Sequence, residues 1–87
     1  MEAVETRVAV IAIIVREGTQ VAALNDLLHQ YGPYIVGRMG VPYREKGVNI
    51  ISVAMDAPGD VISALSGKLG RVEGVTAKTV YAPAGSV

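Results

Sequence analysis

Cysteine, phenylalanine and tryptophan are missing from this 87-residue chain, and histidine occurs once. Without cysteine there is neither a disulfide framework nor a thiolate metal site, as expected of a protein of the reducing cytoplasm. A lone histidine, His29, does not supply the converging donors of a metal centre, so no metal and no cofactor are expected. Neither sign of charge is in excess: eight basic and eight acidic side chains balance, and none of them form a block. That removes the electrostatic footprint of a stand-alone nucleic-acid binder. Long hydrophobic runs are absent too. The most apolar stretch, residues 8–15, is too short to span a bilayer, is followed by Arg16 and Glu17, and has no small-residue cleavage site after it.

What is present is a β-rich mixture. Half of the residues are apolar, mostly Val, Ile, Leu and Ala, and ten are Gly. The length predicts one domain over residues 1–87, with 1–6 a loose lead-in and 83–87 a loose tail. Residues 8–15 are β-branched and apolar at both parities, which predicts a central strand. A turn at Arg16, Glu17 and Gly18 follows, with Thr19 as N-cap of a helix whose stripe is Val21, Leu24, Leu28 and Tyr31, beside Leu27. Gly32 is expected to take the left-handed stop of that helix and Pro33 to forbid its continuation. From Tyr34 the period becomes two, with Ile35, Gly37, Met39 and Val41 on one face and Val36, Arg38 and Gly40 on the other. Pro42 marks this strand as an edge.

Arg44, Glu45, Lys46 and Gly47 predict a hairpin loop with Gly47 at positive φ. Residues 48–55 are again apolar on both sides, hence a second central strand. Asp56 is expected to cap the second helix, with Pro58 in its first turn and Asp60 near its positive end. Val61, Ile62, Leu65 and Leu69 form its stripe and Gly70 is its expected stop. Gly74 then turns the chain into a last strand from Val75 to Ala82.

The order strand, helix, strand, strand, helix, strand predicts an α+β, ferredoxin-like βαββαβ fold. Its four-stranded antiparallel sheet has the first and third strands inside and both helices on one face. Two helices shield only one side of such a sheet. Val8, Val10, Ala12 and Ile14, or their alternates, are left on the other, and a second copy is the expected cover, giving a homodimer or homotetramer.

Chemical motifs are few. Ser66, Gly67 and Lys68 suggest a phosphate loop, but Ile62 stands where its first Gly is needed and the triplet lies late in a helix. The turn at residues 16–20 leads into a helix N-terminus and is a candidate holder of an anion or an amino-acid carboxylate. Arg38 and Lys78 are charged positions in otherwise apolar strands, facing an effector or an interface, or blunting the two edges. The acids Asp26, Asp56, Asp60 and Glu73 are scattered, and no nucleophile, base and orienting acid fall together, so no catalysis is expected. The four tyrosines suit core margins better than a base-stacking platform.

The runs Leu27-Leu28-His29, Arg38-Met39-Gly40-Val41-Pro42, Ser63-Ala64-Leu65-Ser66-Gly67-Lys68-Leu69-Gly70 and Gly74-Val75-Thr76-Ala77-Lys78-Thr79 resemble the small family of regulators of the iron-only hydrogenase system. The likeness extends from Arg7 to Val80. That family is similar in fold to ACT domains and to the C-terminal effector domain of the nickel-responsive repressor. The resemblance implies a regulatory or sensing module that pairs through its sheet and takes a small effector near an interface. The loop after the first strand, Arg16, Glu17, Gly18 and Thr19, is implied as the binding element. A nickel site like the repressor's is excluded, since its histidines and cysteine have no counterparts here. The first expected strand starts within the first ten residues, leaving no ribbon-helix-helix segment ahead of it, so any effect on transcription is expected to pass through a protein partner.

Two other readings fit the same residues: a partner-binding scaffold without a small ligand, and a small enzyme similar to acylphosphatase. The latter pairs an arginine in the first strand-helix turn with an asparagine on the third strand, positions held here by Arg16 and Asn49. The glycine-valine-glutamine pattern and the phenylalanine around that arginine are missing.

Overall fold

The computed structural model describes residues 5–19 and 21–83. Four strands and two helices follow the expected order: β1 (Arg7–Arg16), α1 (Val21–Gln30), β2 (Ile35–Tyr43), β3 (Val48–Ala57), α2 (Gly59–Gly70) and β4 (Val75–Tyr81). Short 3-10 turns at Gly32–Tyr34 and Arg44–Lys46 flank β2. The sheet is antiparallel throughout, in the order β2-β3-β1-β4. The fold is thus the ferredoxin-like α+β arrangement, and the two strands that are apolar at both parities are the inner ones.

Strict alternation divides β1. Ala9, Ile11, Ile13 and Val15 are buried, while Val8, Val10, Ala12 and Ile14 are exposed. Val53, Met55 and Ala57 of β3 join the buried set, as do Leu24 and Leu28 of α1, Ile62, Leu65 and Leu69 of α2, and Val75 of β4. Each fully buried Leu, Ile or Met contributes about 1.5–3 kcal/mol by leaving water. The one core lies between the helices and one side of the sheet. Val21, expected in the α1 stripe, is 44% exposed.

Several local expectations are corrected. Gly32 does not have positive φ; only Gly18, Gly47 and Gly74 do among the described residues. The chain leaves α1 through Tyr31, whose N–H still donates to Leu27 O, and Pro33 sits inside the 3-10 turn that follows. The stop expected at Gly70 holds, since α2 ends there with Arg71 as its C-cap residue. Asp56 caps nothing: β3 runs on to Ala57 with Asp56 opposite Val8, and Pro58 is the α2 N-cap residue. Its carbonyl accepts from Val61 and Ile62, and Asp60 Oδ1 accepts from Val61 N–H at 3.0 Å. The expected cap of α1 at Thr19 adjoins position 20, which lies outside the described residues. The lead-in at 1–4 and the tail at 84–87 are outside them as well.

The largest departure is in β2. Ile35 pairs with Met55, and Gly37 with Ala54, so Val36 is an inserted residue in a β-bulge. Beyond it the parity is switched. Arg38, opposite Val53, and Gly40, opposite Ile51, share the helix side with Ile35, while Gly37, Met39 and Val41 lie on the bare side.

Candidate functional site

Three connections meet at the end of the sheet where β1 stops. Residues 17–19 link β1 to α1, the β2–β3 hairpin closes at Gly47, and residues 71–74 lead from α2 to β4. Antiparallel pairing puts them side by side, and two backbone bonds fasten them. Arg16 N–H donates to Gly74 O at 2.8 Å, and Glu17 N–H donates to Gly47 O at 2.7 Å. Gly18 turns the loop at φ 87°, and Thr19 N–H closes it on Arg16 O at 3.1 Å. The expected hairpin loop is present, with Gly47 at φ 66°.

The loop 16–19 therefore divides two open clefts. One, of about 530 Å³, runs toward Ala23, Glu73 and Gly74; the other, of about 260 Å³, toward Pro42, Arg44, Gly47 and Asn49. Their charges are mixed, with Arg16 and Arg44 set against Glu17 and Glu73. All four are exposed, so each stays hydrated. A further cleft of about 350 Å³ joins Arg16 to Ile14 and Thr76 on the bare side of the sheet. Arg16 thus belongs both to the loop and to that face.

The other sequence candidates do not converge there. Arg38 is on edge strand β2 and faces the helix side, where it lies near His29. Lys78 is on the opposite edge, β4, across from Ala12 on the bare side. No single ligand touches both within one chain. Ser66 and Lys68 do not form a loop: Ser66 Oγ accepts from Thr79 Oγ1 at 2.9 Å, and Lys68 Nζ donates to Tyr31 OH at 2.9 Å, tying α2 to β4 and to α1. Among the described residues no three His, Asp or Glu side chains are close enough to hold a metal ion, and no helix is long and apolar enough to cross a membrane. Sequence reasoning left Arg44 and the 73–74 turn out of the loop site; only the strand order places them beside residues 16–19.

The bare side is apolar. Val8, Val10 and Ile14 of β1 and Ile50 of β3 are each 36–41% exposed, and Met39, Val41, Tyr43 and Val80 extend the patch across the outer strands. The features define a small ferredoxin-like α+β domain with one helix-covered sheet face, one bare face, and a three-loop cluster at their shared end. The sequence profile of the TM1266-like family, described as "Iron-only hydrogenase system regulator, putative", matches residues 7–79, and the chain belongs to that family. Among solved structures it is similar to the uncharacterized protein TM1266 from Thermotoga maritima. The two are 38% identical with a TM-score of 0.85, over 88% of this chain and 98% of that one. No curated protein matches the chain significantly.

Proposed function

We propose that this protein is a non-catalytic regulatory module of the iron-only hydrogenase system, working in the cytoplasm as a homo-oligomer that takes a small effector at residues 16–19. The family it belongs to supports the system. The position of Arg16 carries the site: it lines the loop clefts and also the bare apolar face, so an effector held by the loop is in contact with whatever covers that face. Arg38 and Lys78 stand outside this site, on the two edge strands, and Lys78 serves its edge against an interface or a partner.

A second copy is the proposed cover. Beyond the apolar patch, the face carries opposite charges at opposite ends, Asp56 beside Val8 and Arg16 beside Val48. Stacking two such faces about a two-fold axis with strands antiparallel sets the Asp56 end of one copy over the Arg16 end of the other. Dimers formed in this way can pair again to a tetramer. Promoters or enzymes are reached through a protein partner, with no direct contact to nucleic acid or membrane.

Light scattering on the purified chain tests the assembly, which predicts a mass above that of one subunit; a clean monomer at micromolar concentration would remove it. Thermal shift against amino acids, nucleotides and divalent cations tests the sensing role, because a ligand of the native state raises the melting point. A flat response across the panel favours a partner-binding scaffold without a small ligand. One observation favours a catalytic alternative: Arg16 and Asn49 line the same cleft. Hydrolysis of acetyl phosphate that is lost in both Arg16→Ala and Asn49→Ala would support it.

A further inference from the structure

A cleft that the proposed function does not use lies between the C-terminal half of α1 and edge strand β2. It is open, of about 370 Å³, and lined by Asn25, Leu28, His29, Gly32, Ile35 and Arg38. Arg38 reaches it only because the bulge at Val36 switches β2 to the opposite parity. Its level in the sheet is that of Val53 and Ile11, five residues along β1 from Arg16, or about 16 Å.

The lining divides by chemistry. Leu28 is buried and Ile35 half-buried, so together they give an apolar floor, and Gly32 leaves one wall without a side chain. The polar groups are the Arg38 guanidinium, the His29 imidazole and the Asn25 amide, all able to donate, and no carboxylate lines the cleft. Neither Arg38 nor His29 makes a side-chain hydrogen bond or ion pair within the described residues. The Arg38 fork is therefore free to bind a planar oxyanion with two parallel hydrogen bonds.

We propose that this cleft binds a small carboxylic acid, with the carboxylate on Arg38 and His29 and its hydrocarbon part on Leu28 and Ile35. A bare inorganic anion uses the donors but not the floor, and a neutral apolar molecule uses the floor but not the donors. A carboxylate on an apolar body satisfies both, its two oxygens matching the planar Arg38 fork.

Two-dimensional amide NMR of the full chain, titrated with benzoate and separately with inorganic phosphate and benzyl alcohol, tests this. Benzoate is expected to shift the amides of His29, Gly32, Ile35 and Arg38, and benzyl alcohol to bind about tenfold more weakly or less. Arg38→Met, which keeps the apolar stem and removes the donors, is expected to weaken benzoate about tenfold while its remaining spectrum shows the native fold. No shift at about 20 mM benzoate overturns the proposal, that being weaker than any useful site. So does equal affinity in Arg38→Met, tighter binding of phosphate than of benzoate, or shifts confined to residues 16–19. The last outcome would instead speak for the loop site, so the two proposals stand or fall separately.

Discussion

Thr19 packs directly on Gly74: a β-carbon at position 74 would collide with the Thr19 hydroxyl oxygen. Gly74 also has φ 83°, in the left-handed region that costs a side-chain-bearing residue about 1–2 kcal/mol. The backbone bond from Arg16 to Gly74 lies next to this contact and fixes the β1–α1 loop against the α2–β4 turn. Gly74→Ala is therefore expected to destabilise the fold by about 2–4 kcal/mol, strain and collision together. Adding Thr19→Ala, which removes the colliding hydroxyl, should recover part of this and leave the strain. Urea denaturation of the four proteins of the cycle measures both parts, and a double variant no better than Gly74→Ala would mean the contact is of no consequence.

Charge reversal examines the stacking of two sheets. In the proposed two-sheet stack, Asp56→Lys puts like charge over Arg16 of the opposing copy and is expected to weaken self-association by about tenfold or more. Arg16→Glu in the same chain restores the attraction with the signs exchanged. Analytical ultracentrifugation reads the dissociation constants. Restoration by the double change separates a specific antiparallel register from simple greasy contact, which the charges would leave unaffected.

How far the sequence shows this architecture depends on where the deciding contacts lie. The inner strands were legible because burial of both faces demands apolar residues at both parities, and residues 8–15 and 48–55 alone meet that demand. Gly47 was legible because a short hairpin needs positive φ at a fixed place. Gly32 departs from the expected left-handed stop because a glycine near a helix end does not have to adopt that state. At Gly32 the neighbouring Pro33 suits a 3-10 turn, whereas Gly70, the last residue of α2, ends that helix where the sequence puts it. Asp56 was misplaced because β3 has two more residues of partner on β1 than its own apolar run suggests. In the candidate site, residues 16–19 stand out in the sequence, but Gly74, Gly47 and Arg44 join them only through strand order. His29 and Arg38 come together only through a bulge.

Core and surface contacts should separate cleanly. Leu65 is fully buried between α2 and the sheet, and Leu65→Ala is expected to cost about 2–5 kcal/mol. Tyr31→Phe removes the hydrogen bond from Lys68 Nζ yet keeps the ring beneath the ammonium, 5.2 Å from centroid to Nζ. Since that pair is at the surface, the expected loss is about 1 kcal/mol or less. Thermal melts of both variants check the contrast, and a Tyr31→Phe loss near that of Leu65→Ala would show that the α1–α2 tie is a main support of the fold.

Val36 gives the least intuitive expectation. Deleting a residue from the middle of a strand normally turns every later side chain to the wrong face. Here Ile35 and Gly37 already pair with the adjacent residues Met55 and Ala54, so Val36 is surplus to the ladder, and it is 74% exposed. Removing it closes the bulge without changing the register on either side. Ile35 still faces the core and Arg38 still lies opposite Val53. The deletion is therefore expected to fold with stability within about 1 kcal/mol of the parent, far below the cost of a slipped strand, since no buried contact is exchanged. Val36→Asp is expected to be equally mild, because the side chain already stands in water. Amide NMR of the deletion should leave the core resonances of Val53 and Met55 near their parental positions. Loss of those resonances, or a melting point lowered as much as by Leu65→Ala, would show that the bulge itself is needed to start β2 after the 3-10 turn.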